Sequence, residues 1–194
     1  MTQLAEPATT EPSPPRLRWT REMYEAAIEA NVFLDRRVER LDEELYETPP
    51  QKLPHRTSLE LIDDYCAESF PRTAFRVCVQ MPLSVDDHSD PEPDVAVIEA
   101  RDPRASSGHP KTAVLVVEVS DYSLRHDRRK ASRYAAANVG EYWIIDLNGR
   151  AIEVYRRPDA ASERYVEIRL YRESEQLTPL AAPDAAVNVR DLLP

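Results

Sequence analysis

The amino-acid sequence predicts an α/β (α+β) fold in which helices flank a mixed β-sheet. Three observations point there. Short runs rich in aliphatic and aromatic residues, at 75–81, 95–98, 113–119 and 142–146, have strand character. Segments with apolar residues at three- and four-residue spacing fall between them. Helices and strands alternate along the chain instead of segregating into separate blocks. At 194 residues the chain is long enough to bury one core.

Each element follows from its residues. Residues 1–15 are rich in Pro, Thr and Glu with few large apolar side chains, which predicts a disordered arm ahead of a single domain over 16–194. Thr20 is placed to cap a helix carrying Met23, Tyr24, Ala27 and Ile28 on one face. Phe33 to Glu47 reads as two short strands around an acidic turn, ended by Thr48-Pro49-Pro50. A helix from near His55 to Glu68 turns Leu59, Ile62 and Cys66 inward. Phe75 to Met81 alternates as a half-buried strand, Asp86 to Pro93 is an acidic loop, and Val95 to Ile98 is a short strand. Ala113 to Val119 is apolar except for Glu118, as in a central strand covered on both faces. Ser123 opens a helix that runs to about Asn138, with Gly140 just beyond. Tyr142 to Asp146 is a buried strand. Asn148-Gly149 turns it back into Ala151 to Tyr155, and Arg164 to Tyr171 is the last alternating strand.

Composition narrows the functional classes. Apolar residues make up 42% and charged residues 31%, as in a globular protein. No apolar run is long enough to cross a bilayer, and the N-terminus has no charged-then-apolar leader, which predicts a cytoplasmic protein with no membrane partner. Cys66 and Cys78 fit no metal-ligand spacing and read as reduced core thiols. The net charge of −10 opposes general nucleic-acid binding, but its distribution is uneven. Arg104 to Arg133 holds seven Lys or Arg against three acids, whereas Asp86 to Asp102 holds seven acids and one Arg. Such a pairing suits a metal site that handles phosphates, and equally an ordinary mixed surface.

The chemistry centres on three residues. Glu118 lies in a strand that demands burial, so its carboxylate must be neutralised, paired or bound to a metal. Asp94 opens the preceding strand in Pro91-Glu92-Pro93-Asp94, where two prolines stiffen the approach. If those strands are neighbours, two carboxylates meet, and a hard cation such as Mg²⁺ or Mn²⁺ between them relieves their repulsion. Asp127, Lys130 and Tyr134 share one helix face, and Lys130 is long enough to bend back toward the carboxylates. A lysine there can orient water and stabilise charge developing on a phosphate. The alternative for Lys130 is a solvated residue in an Arg-rich run. Tyr134 and Trp143 read as core aromatics, and His109 and His126 as exposed.

The ordered set Pro93-Asp94, Val117-Glu118-Val119-Ser120, Asp127 with Lys130 and Tyr134, Glu141-Tyr142-Trp143-Ile144-Ile145-Asp146 and Val154-Tyr155-Arg156 resembles the Uma-type family of restriction-endonuclease-like proteins. That family lies within the PD-(D/E)XK nuclease superfamily. The resemblance spans roughly residues 17–172 and is most specific from Glu92 to Arg156. It implies a restriction-endonuclease-like fold, with Asp94, Glu118 and the main-chain carbonyl of Val119 as metal ligands. Ser120 stands where the usual E-x-K lysine would, and the family's helix-borne lysine maps to Lys130. Glu39, in Val38-Glu39-Arg40-Leu41-Asp42-Glu43-Glu44, resembles an E-L-I-D-G-E stretch, with Glu43 in place of its glycine; it either completes the acidic site or is a hairpin surface residue. His55 resembles a histidine that opens the first core helix. The implied activity is Mg²⁺- or Mn²⁺-dependent endonucleolytic cleavage of DNA, and two cuts on a duplex would favour a homodimer. The readings from other classes are a catalytically silent binding or assembly module, and a nuclease acting on RNA or on a particular nucleic-acid structure.

Overall fold

The computed structural model describes residues 15–34, 36–48, 50–102, 104 and 108–194, so the expected N-terminal arm lies, apart from Pro15, outside the described residues. The framework is a six-stranded mixed sheet. Its strands are β3 (Phe75–Val79), β4 (Val95–Glu99), β5 (Leu115–Ser120), β6 (Glu141–Asp146), β7 (Ala151–Asp159) and β8 (Arg164–Arg172), in that spatial order. Only β5 and β6 run parallel, joined by the crossover helix α3 (Leu124–Ala136); the other neighbours are antiparallel.

Strand alternation divides the core into two layers. Val95 and Val97 of β4, Leu115 and Val117 of β5, and Trp143 and Ile145 of β6 pack with Leu59, Ile62 and Cys66 of α2 (Leu53–Ser69). The intervening residues Ala96, Val116, Tyr142 and Ile144 face the other way, toward Tyr134 and Ala135 of α3. Every residue of β5 is buried, as its apolar run predicts for a central strand. The register of β6 and β7 explains the Glu-Tyr-Trp and Val-Tyr-Arg motifs. Glu141 lies opposite Arg156 and is 1% exposed. Its Oε1 accepts from Trp143 Nε1 at 2.9 Å and from Arg156 Nε at 2.8 Å, and its Oε2 accepts from Leu180 N at 2.7 Å.

Several details differ from expectation. In α1 (Arg21–Glu29) Thr20 Oγ1 does accept from Met23 N, and Tyr24 and Ala27 are buried, but Met23 and Ile28 are exposed because the helix touches its neighbours along a narrow stripe. The turn before β7 spans Leu147–Arg150, and the residue with positive φ is Arg150, not Gly149. A Cβ at Gly149 would meet the Asp146 carboxylate, whose Oδ1 accepts from Gly149 N, so that side chain would have to swing aside. The C-terminal segment adds a two-residue ribbon, β9 (Gln176–Leu177) with β10 (Val187–Asn188), and a 3-10 turn over Val189–Leu192. These pieces are too short to show periodicity, yet Leu177, Val189 and Leu192 complete the α2 side of the core.

A separate hairpin, β1 (Arg37–Leu41) with β2 (Glu44–Thr48), lies off the main sheet. It is pinned by Arg40, fully buried, whose guanidinium donates to Asp90 Oδ2 at 2.6 and 3.0 Å while Asp90 N donates to Arg40 O. The two turn residues, Asp42 and Glu43, have φ of 55° and 63°. This is the left-handed geometry that a glycine would adopt without steric cost, so the hairpin keeps its turn with Glu43 under strain. Glu43→Gly is therefore expected to stabilise the protein by about 1 kcal/mol, read as a higher urea midpoint. The side chain's contacts to Arg18 and His88 are surface pairs and contribute less. An unchanged or lower midpoint would remove the claim of strain.

Candidate active site

The register of the central strands sets the site. Val95 pairs with Val117, and continuing that antiparallel register places Asp94, just ahead of β4, across from Glu118. The regular ladder stops there because Val119 N donates to the Asp94 carboxylate (Oδ2, 2.9 Å). His55 Nε2, from the first turn of α2, lies 3.2 Å from the same oxygen, and Gln80 Nε2, just past β3, donates to Oδ1 at 3.3 Å. Strand alternation points Glu118 toward α3. There Lys130 Nζ and Tyr134 OH, one helical turn apart, both reach its Oε1, at 3.1 and 2.9 Å.

The hairpin supplies Glu39. Its Oε2 takes Lys130 Nζ at 2.9 Å and Glu92 N at 3.1 Å, and its Oε1 lies 2.7 Å from His126 Nε2. Lys130 is thus buried and bridges carboxylates from two different sheets, instead of lying solvated in the Arg-rich run. Asp94, Glu118, Val119, Lys130 and Glu39 all line one cleft of about 610 Å³, whose rim includes Arg37, Lys52 and Tyr122.

The electrostatics follow from three acids sharing one ammonium. Burial pushes the Glu118 carboxyl up to about 8; Lys130 pulls it down, but Asp127, Asp94 and Glu39 reinforce the effect of burial. Burial likewise acts on Glu39, but there the Lys130 charge and the hydrogen bonds from His126, Lys130 and Glu92 N win and hold it at about 2. Burial disfavours the charged form of Lys130, yet Glu118 and Glu39 outweigh it and keep the ammonium charged. Burial also raises Asp127, against Lys130 and the Ser123 hydroxyl. The cleft therefore holds more acid than its own cation offsets.

That surplus fits a divalent cation. Among the described residues no three His, Cys, Asp or Glu side chains are grouped to hold a metal ion. The candidate donors in the cleft lining are instead the Asp94 and Glu118 carboxylates, with Val119 beside them, a set that would suit a hard cation keeping several waters. Glu118 has Oε2 clear of both its donors, and Asp94 Oδ1 takes one weak donor, so each carboxylate retains lone pairs for a ligand.

Sequence reasoning misjudged some neighbours. His126, expected to be exposed, is partly buried against Glu39 and lies 4.7 Å, centroid to centroid, from the Tyr46 ring. It is drawn in because the hairpin folds over α3, an approach that no local pattern announces. Asp127, which shares the Lys130 helix face, takes a hydrogen bond from the Ser123 hydroxyl at 2.6 Å. Tyr134 is core, as expected, and also binds Glu118 through its hydroxyl. Gln80 and Glu92 carried no sequence signal.

Residues 22–190 match the Uma2 family, described as "Putative restriction endonuclease". The chain belongs to the Uma2 family. The solved structure of "a putative nuclease belonging to DUF820" from Anabaena variabilis aligns with a TM-score of 0.67 at 17% identity, over 80% of this chain and 88% of its own. The type IIG restriction endonuclease BpuSI aligns over 53% of this chain and 11% of its own, at 15% identity and a TM-score of 0.36. None of the curated proteins matches the chain. The six-stranded mixed sheet with flanking helices is the restriction-endonuclease-like fold expected for a Uma2 member. No helix among the described residues is long and apolar enough to cross a membrane.

Proposed function

We propose that this Uma2 protein is a Mg²⁺- or Mn²⁺-dependent endonuclease that hydrolyses DNA phosphodiester bonds. The observation that carries the reading is the convergence of Asp94, Glu118, Lys130 and Glu39 in one cleft lined by more acidic than basic side chains. Asp94 and Glu118, with the Val119 carbonyl, would hold the cation. When bound, that ion supplies Lewis-acid polarisation of the scissile phosphate. Lys130, fixed between Glu118 and Glu39, orients the attacking water and offsets negative charge gathering on the phosphate oxygens. Glu39 positions Lys130 and is itself oriented by His126 and Glu92 N. Tyr134 fixes the Glu118 rotamer from the closed side of the site. A homodimer belongs to the same reading, because two cuts on a duplex favour two-fold symmetry. So does a cytoplasmic setting, supported by two unpaired cysteines; burial pushes the Cys66 thiol up to about 12, where it is inert.

The test is plasmid cleavage with Mg²⁺ or Mn²⁺ by wild type and by Asp94→Asn. Asparagine keeps an acceptor for Val119 N, so the fold is spared. Wild type is expected to nick or linearise the plasmid and the variant to lose about 100-fold or more. Equal cleavage by the two would overturn the site. Calorimetric titration with Mn²⁺ separates the second reading: heat of binding in wild type that disappears in Glu118→Gln supports the metal site, whereas no binding at millimolar Mn²⁺ supports a silent binding module.

A further inference from the structure

A second charged feature lies at the opposite end of strands β3 and β4 from Asp94. Arg72, Arg76, Arg101 and Arg104 line one open concavity of about 650 Å³ together with Thr73, Ala100 and Asp102. All four arginines are exposed. Among the described residues Asp102 is the only carboxylate in the lining, and its Oδ1 accepts from Arg104 N. Among the described residues, too, none of the four forms an ion pair within 4 Å. In a chain with a net charge of −10, four such arginines lining one concavity are a local concentration of positive charge. Lys111 and Arg101 carry the positive surface into the adjoining hollow beside β4 and β5, where Glu99 is the acid present.

We infer that this arginine cluster is a docking site for the phosphate backbone of duplex DNA, remote from the scissile bond. The inference rests on the nuclease reading above. Guanidinium groups present forked donors that match phosphate oxygens, and Thr73 adds a hydroxyl. Strand β3 ties the cluster to the cleft: Arg72 and Arg76 lie at its start, and Gln80, just past its end, holds Asp94. From Asp94 to Ala100 the neighbouring strand covers about 20 Å at about 3.3 Å per residue. That distance corresponds to about six base pairs of a duplex laid along the edge, at about 3.4 Å each. The acidic cleft repels DNA until a cation is bound, so a basic anchor away from it provides the affinity that the chain's net charge denies.

The experiment compares wild type with the triple variant Arg72→Gln, Arg76→Gln, Arg101→Gln for binding to a short fluorescent DNA duplex. It is read by anisotropy in EDTA over a range of salt concentrations. All three side chains are exposed, and matching thermal melts check that the variant folds. The variant is expected to bind about tenfold or more weakly, with the slope of log K against log salt reduced by about 0.9 for each phosphate that is no longer neutralised. Unchanged affinity and slope overturn the inference, as does a wild type that fails to bind duplex DNA or a variant in which only RNA binding falls. Plasmid cleavage by wild type against Asp94→Asn judges the nuclease reading separately. Active cleavage with an unchanged triple variant sinks the anchor alone, and a reduced salt slope without cleavage sinks the nuclease alone.

Discussion

Lys130→Ala is expected to abolish cleavage and also to destabilise the fold by about 3 to 5 kcal/mol. The stability loss arises because Lys130 is buried between Glu118 and Glu39, with Asp127 close enough to act on both. Removing the ammonium leaves buried carboxylates with no nearby positive charge. Tyr134 and His126 still donate to them, but one phenol and one imidazole replace little of the missing attraction. Denaturant unfolding of the variant measures the first effect and plasmid nicking the second. The two are separable: Lys130→Met restores the aliphatic stem and its packing, so it should recover part of the stability and none of the cleavage. If Lys130→Ala unfolds at the wild-type midpoint, the bridge contributes nothing to the fold. If it cleaves normally, Lys130 is not part of the site.

The second large effect concerns Glu141, which does not line the cleft. Glu141→Ala is expected to destabilise the protein by about 3 kcal/mol or more, because Arg156 and the Trp143 indole N–H lose their shared acceptor inside the protein. Leu180 N is orphaned at the same time. Glu141→Gln keeps one acceptor oxygen and the side-chain shape, so it should cost about half as much. Molecules of either variant that remain folded should cleave with wild-type specific activity. A loss of activity at full stability would place Glu141 in the chemistry and contradict its location at the start of β6, outside the cleft.

The sequence announces the large pieces because each is dictated by local pattern. Ala113 to Val119 is apolar enough to require a central strand, and the spacing of Asp127, Lys130 and Tyr134 commits those residues to one helix face, which only the fold shows to be buried. The approach of Asp94 to Glu118 is legible only by assuming that β4 and β5 are neighbours, which the sheet bears out. The hairpin's embrace of α3 was not legible. It depends on Arg40 and Asp90, fifty residues apart, and it brings Glu39 to His126 and Lys130. Arg40 in isolation looks like a surface charge, because nothing beside it in the sequence hints at burial. The C-terminal ribbon was invisible for another reason: Leu177 and Val189 contribute single side chains to the core, and single side chains have no period.

The hydrogen bond from Val119 N to Asp94 has a consequence beyond the cleft. At this point a side chain takes over from a strand's main chain, closing the β4–β5 ladder where the two strands part. On the proposed function Asp94 answers two separate demands, one of chemistry and one of architecture. A relative that had given up cleavage would still need an acceptor at this position to end the ladder. Within such proteins the aspartate is a mark of the fold, and by itself it is no witness to the reaction.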